Sequence, residues 1–211
     1  MEKLRVGVYI DYSNVYSGAR DAFALWSEPG YRGNVNPLFL GKHVALNGVG
    51  CQPRDLTHEL AFVKVFRGAP DPGRDSRGAK LEAARAAQWE KWGCKVYRQT
   101  LDYGSGAPAE KGVDVRLAVN LITDQASGAI DLAVVVSADK DFRYALLEVR
   151  DQGNVEVEVA IWQAVPGGDA LGRIELRPER PDEPEVDCHF LTRGDFGRWE
   201  DRINYKTLLG I

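Results

Sequence analysis

Four aspartates in this chain have the type and placement to do chemistry: Asp11, Asp114, Asp139 and Asp141. Asp11 follows the apolar run Val6-Gly7-Val8-Tyr9-Ile10. Asp139 and Asp141 follow a second run, Leu132-Ala133-Val134-Val135-Val136, with Ser137-Ala138 between. Asp114 opens an apolar helical pattern after Lys111-Gly112. Carboxylates pressed together repel one another and tend to take up protons, so such clusters are commonly held by a divalent cation. Oxygen ligands arriving from three segments suit one or two Mg²⁺ or Mn²⁺ ions. Such ions activate water and stabilise a leaving oxygen during in-line attack on a phosphodiester. A lone aspartate after a strand more often caps the next helix, and Asp141 is well placed as a cap. The recurrence at two strand ends and one helix start is what turns the set toward function.

The elements that must position these residues can be read from apolar periodicity. Leu4–Ile10 is short, apolar and β-rich, as a buried strand is. Val15, Ala19, Ala22, Phe23 and Trp26 recur at helical spacing and predict a helix from about Asn14 to Trp26. Residues 27–55 are rich in Gly and Pro and read as an irregular insertion, functional or mobile, with a short helix near Phe39–Leu46. Then come a strand at Leu60–Phe66, a helix at Ser76–Trp92 closed by Gly93, and a strand at Cys94–Leu101. A helix from Val113 to about Gln125 and the strand Leu132–Val136 follow. Beyond Phe142 a helix with an apolar face ends at Gly153, and Val155–Ile161 alternates as a strand with one polar face. This alternation predicts an α/β fold with a parallel sheet covered by helices on both sides.

The expected organisation is a domain over residues 1–162 and a C-terminal arm over 163–211 that packs on or extends it. The arm is Pro-rich at its start, with a last strand near Glu185–Leu191 and a terminal helix within Gly194–Leu209. Charged residues make up 27% and hydrophobic ones 44% of the 211, which excludes a disordered chain. A net charge of −4 excludes a polycation that coats nucleic acid in bulk, though not a local basic rim. No signal-peptide pattern or apolar run of bilayer length is present, so a cytoplasmic protein without a membrane partner is expected. Cys51, Cys94 and Cys188 are too few and too scattered for a disulfide framework. Cys188-His189 would point to opposite faces of a strand and rarely act together.

The same residues carry a resemblance. The strings Val8-Tyr9-Ile10-Asp11-Tyr12-Ser13-Asn14, Lys111-Gly112-Val113-Asp114 and Val135-Val136-Ser137-Ala138-Asp139-Lys140-Asp141-Phe142 resemble the signature segments of NYN domains, part of the PIN-like nuclease superfamily. The similarity covers about residues 4–162. It implies a Rossmann-like sheet and metal-dependent ribonuclease activity, with Asp11, Asp114, Asp139 and Asp141 in the acidic cluster. Asn14 and Ser137 match the family's polar positions and would contact substrate. Two departures stand out: Ala138 where glycine is common, and Lys140 where a small or polar residue is common. Lys140 could grip a phosphate or partly replace a metal, and the latter would leave a binding-only protein.

An RNA substrate, single-stranded in the simplest case, needs cations around the acidic floor. Lys111 and Lys140 lie beside the aspartates. Arg67, Arg74, Arg77, Lys80 and Arg143 fall in nearby loops or first helical turns, with Arg67 and Arg77 foremost as substrate contacts. Tyr12, Tyr103 and Tyr144 could stack on bases, whereas Trp89 and Trp92 are spaced for a core. A homo-oligomer or protein partner would be held through residues 27–55 or the arm. Haloacid dehalogenase-type phosphoryl transfer normally needs a second carboxylate where this chain has Ser13. Dinucleotide oxidoreduction needs a Gly-rich turn where it has Asp-Tyr-Ser-Asn.

Overall fold

The computed structural model describes residues 3–49, 54, 57–152, 155–163 and 186–210. Six strands pair in parallel: β1 (Leu4–Asp11), β2 (His58–Ala69), β3 (Lys95–Thr100), β4 (Leu132–Val136), β5 (Glu156–Trp162) and β6 (Asp187–Leu191). Their order across the sheet is β3-β2-β1-β4-β5-β6. The α/β fold expected from the alternating pattern is therefore the fold observed. From β1 the chain steps outward to β2 and β3, then returns to place β4 on the other side of β1. The reversal puts a topological switch point between β1 and β4, where open parallel sheets place ligands.

Side-chain alternation divides the core in two. Val6, Val8 and Ile10 of β1, with Leu132, Val134 and Val136 of β4, point to one face. Tyr9, Ala133 and Val135 point to the other. The first face is covered by α1 (Tyr12–Ala22), α2 (Pro37–Leu46), α3 (Ser76–Trp92) and α6 (Arg193–Trp199). The second is covered by α4 (Val113–Ala126) and α5 (Phe142–Gln152).

Several boundaries differ from those the pattern predicts. Helix α1 stops at Ala22 because Phe23 caps it and Ala24 turns left-handed (φ 55°). Trp26 consequently lies outside the core, exposed, with the Arg20 guanidinium 4.7 Å from its ring centroid. The segment after α1 is more ordered than its Gly and Pro content predicts. Asn36 caps α2 through Leu38 and Phe39 N–H groups, and Pro37 opens the helix at a position that needs no N–H donor. Leu40, Val44 and Ala45 are then buried in the first-face core, so this part of the insertion is a wall of the domain.

The C-terminal helix expected within 194–209 is two short helices, α6 and α7 (Tyr205–Leu209). Thr192 and Asp195 form a reciprocal capping box at α6. Phe196 and Trp199 pack into a ring cluster with Phe23 and Trp162, so β6 and α6 complete the first-face core. Trp89 is wholly buried, and Trp92 packs partly buried against the same core. Cys94 and Cys188 are free thiols. Residues 164–185, Cys51 and the Gly153 helix end lie outside the described residues.

Candidate active site

Asp11 is both the last residue of β1 and the N-cap of α1. Its Oδ1 accepts from the Asn14 N–H at 3.2 Å, and its Oδ2 accepts from the Ser137 hydroxyl at 3.1 Å. Ser137 Oγ in turn accepts the Asp139 N–H at 3.1 Å, and Asp139 Oδ1 accepts the Asp141 N–H at 2.9 Å. Asn14 Oδ1 closes the network by accepting the Ala138 N–H at 2.7 Å. The loops after β1 and β4 are thus stitched together across the switch point. The polar positions Asn14 and Ser137 do the stitching.

Electrostatics single out Asp11. Burial, opposed by the Asn14 and Ser137 hydrogen bonds and assisted by the charges of Glu110 and Asp139, raises its carboxyl from the ordinary 3.8 to about 6. Glu110 has no place in the aspartate pattern that the sequence shows. Its Oε1 accepts from Ser13 Oγ at 2.5 Å and from the Gly68 N–H at 2.6 Å, joining the loop before α4 to the start of α1 and the end of β2. The approach needs glycine at 68: an added Cβ would stand 2.6 Å from Glu110 Cγ and would also collide with Leu101 Cδ2. The one available sequence signal was that Glu110 sits four residues before Asp114, within the Glu-Lys-Gly-Val-Asp string.

The other sequence-derived residues are placed differently. Asp114 lies exposed in the first turn of α4, which starts after Gly112 in a left-handed conformation (φ 77°). Asp141 and Lys140 are exposed in the turn before α5. Lys111 is exposed and ion-paired to Asp102, whose carboxyl it holds below the usual range. Arg77 is exposed in the first turn of α3.

Arg67 turns inward, contrary to the expected phosphate contact. Its guanidinium lies over Tyr12 at 5.1 Å and pairs with Glu82 at 3.2 Å, so an interior carboxylate already matches its charge. Tyr12 is likewise no base-stacking platform, being buried with its hydroxyl on the Val35 carbonyl. Arg143 is buried too. Tyr144 remains exposed.

Carboxylate, hydroxyl and amide oxygens, the donor types a hard divalent cation takes, meet at the switch point around a carboxyl whose ionisation burial and the charges of Glu110 and Asp139 oppose. Among the described residues, no three acidic, histidine or cysteine side chains converge closely enough to enclose an ion.

A six-stranded parallel sheet flanked by helices, with an acidic, hydrogen-bonded switch point, defines an open α/β domain. The NYN domain family model matches residues 5–167, and the chain belongs to that family. A crystal structure of a protein of unknown function from Vibrio parahaemolyticus is similar in fold, with a TM-score of 0.53 at 17% identity. The match covers 91% of this chain and 94% of that one. No curated protein sequence matches. Among the described residues no helix is long and apolar enough to cross a membrane.

Proposed function

We propose that the chain is a metal-dependent ribonuclease hydrolysing RNA phosphodiester bonds at the Asp11–Asp139 network. The nuclease unit spans residues 1–162, with 163–211 extending it. The carrying observation is that Ser137 bridges the two aspartates across the switch point while Glu110 and Asp139 oppose ionisation of Asp11. Mg²⁺ or Mn²⁺ bound there would supply charge stabilisation and water activation.

Asp11 is ionised above about pH 6 and accepts two hydrogen bonds of the roughly four a carboxylate can take, which leaves acceptor capacity for an ion or a water. Ser137 fixes the Asp11 carboxylate and the Asp139 backbone at once. Asn14 holds the Ala138 backbone, so the loop after β4 keeps its shape when substrate arrives. Glu110 joins the acidic set through its charge on Asp11, and Asp114 and Asp141 would act from exposed positions at the starts of α4 and α5. Lys140 and Arg77 are exposed cations that can meet phosphates without reading sequence.

The test is cleavage of a labelled RNA panel with Mg²⁺, with Mn²⁺ and with chelator, beside Asp139→Asn. Metal-dependent cutting that vanishes in the variant supports the enzyme. No cutting under any condition favours a second reading, an NYN-like module that binds RNA or a protein partner without turnover. The exposed Lys140 between Asp139 and Asp141 is the observation behind that reading.

A further inference from the structure

A groove of about 670 Å³ opens between α3 and the edge strand β3. One helical face, Ser76, Ala79, Lys80, Ala83 and Glu90, forms one wall. Alternate residues of β3, Val96, Arg98 and Thr100, form the other. From Ser76 to Glu90 the helix rises about 21 Å. Pro70 and Pro72 shape the mouth, and Ala69 lies next to Gly68, whose N–H binds Glu110. The mouth of the groove is thus one residue from Gly68, which is tied through Glu110 to Ser13 at the start of α1.

Its charge is graded. Lys80 and Arg98 are exposed in the lining, Arg77 is exposed on the neighbouring turn, and Arg74 lies 5.0 Å from the Tyr103 ring centroid. The acidic residues of the mouth are engaged locally: Asp71 accepts from the Gly73 N–H and Asp75 from the Gly78 N–H. Glu90 places a negative charge at the far end. Small apolar surfaces from Ala79, Ala83 and the two prolines lie among the cations, which suits flat bases on the floor and phosphates on Lys80 and Arg98.

We infer that this groove holds the single strand of RNA flanking the cleaved bond, with Lys80 and Arg98 as its phosphate contacts. The inference rests on the ribonuclease reading for its location and is tested by binding alone, so the two can fail separately. A fluorescent single-stranded RNA is titrated in chelator against wild type, Lys80→Glu/Arg98→Glu, and Lys42→Glu at an exposed position of α2, with circular dichroism confirming each fold.

The double variant should bind roughly tenfold more weakly, with a slope of log affinity against log salt shallower by about 2, equally across RNA sequences. Lys42→Glu should match wild type. Weak binding confined to the double variant supports the groove even if no variant cuts RNA. Unchanged affinity and salt slope in the double variant overturns it, as does failure of wild type to bind RNA. Equal competition by polyglutamate overturns it as well, because the groove would then be an unselective anion surface.

Discussion

Two pairs of aspartates share the carboxyl end of the sheet and are held in opposite ways. Asp11 and Asp139 are interlocked through Ser137 and the loop backbones, and burial and like charge push Asp11 up to about 6. Asp114 and Asp141 stand exposed at the starts of α4 and α5. The first pair is preorganised, and ionising Asp11 there costs stability. The second is solvated, and its charges are screened by salt. On the proposed ribonuclease reading, the interlocked pair would carry the chemistry and the exposed pair would adjust it.

The largest break in this contrast should come from Asp11→Asn or Asp139→Asn, each lowering the metal-dependent cleavage rate by at least about a thousandfold. Near-wild-type cleavage by either variant would sink the network mechanism. Ser137→Ala removes only the bridge and should cost roughly 10- to 100-fold, the usual penalty for losing a group that orients a ligand. An equal loss of folded protein by thermal melting would make Ser137 merely structural. Asp141→Asn should cost less than about tenfold, and that loss should shrink as salt screens the exposed charge. If kinetics instead ranked Asp141 with Asp11, the distinction between the pairs would collapse.

The smallest effect is on stability, and its sign is opposite to that on activity. The folded state raises the Asp11 carboxyl from 3.8 to about 6, so the stability Asp11 contributes is fully present below about pH 4 and lost as pH rises through about 6. Asparagine cannot ionise. At pH 7.5, in chelator, Asp11→Asn should therefore be more stable than wild type by on the order of 1–2 kcal/mol, allowing for partial exposure. At pH about 4 the difference should vanish. Urea unfolding at the two pH values checks this, and a variant less stable at pH 7.5 would contradict the opposed ionisation.

Much of the frame was legible because its signals are local. The apolar runs of β1 and β4 fixed both strands to within a residue, and Gly93 marked the end of α3 where it lies. Asp11, Asn14, Ser137 and Asp139 were visible as motif residues, although their mutual hydrogen bonds depend on the strand order. Glu110 was not visible, because its reach to Gly68 exists only once β2 lies beside β1. Arg67 misled for a related reason. Its place near a strand end suggested the mouth, whereas side-chain parity sends it under α3 to Glu82. Helix α2 was expected near Phe39–Leu46 and begins two residues earlier, at Pro37, with Asn36-Pro37 as the overlooked start signal.

The Ser137–Asp11 bond spans 126 residues of chain. At about 5 to 20 residues per second, the ribosome needs roughly 6 to 25 s to make the second half of the site after the first. A nascent polypeptide that ends before β4 has a first aspartate and no partner for it. On the proposed ribonuclease reading the chain would thus emerge inactive, and the transcript being translated beside it would be spared until most of the domain has left the exit tunnel.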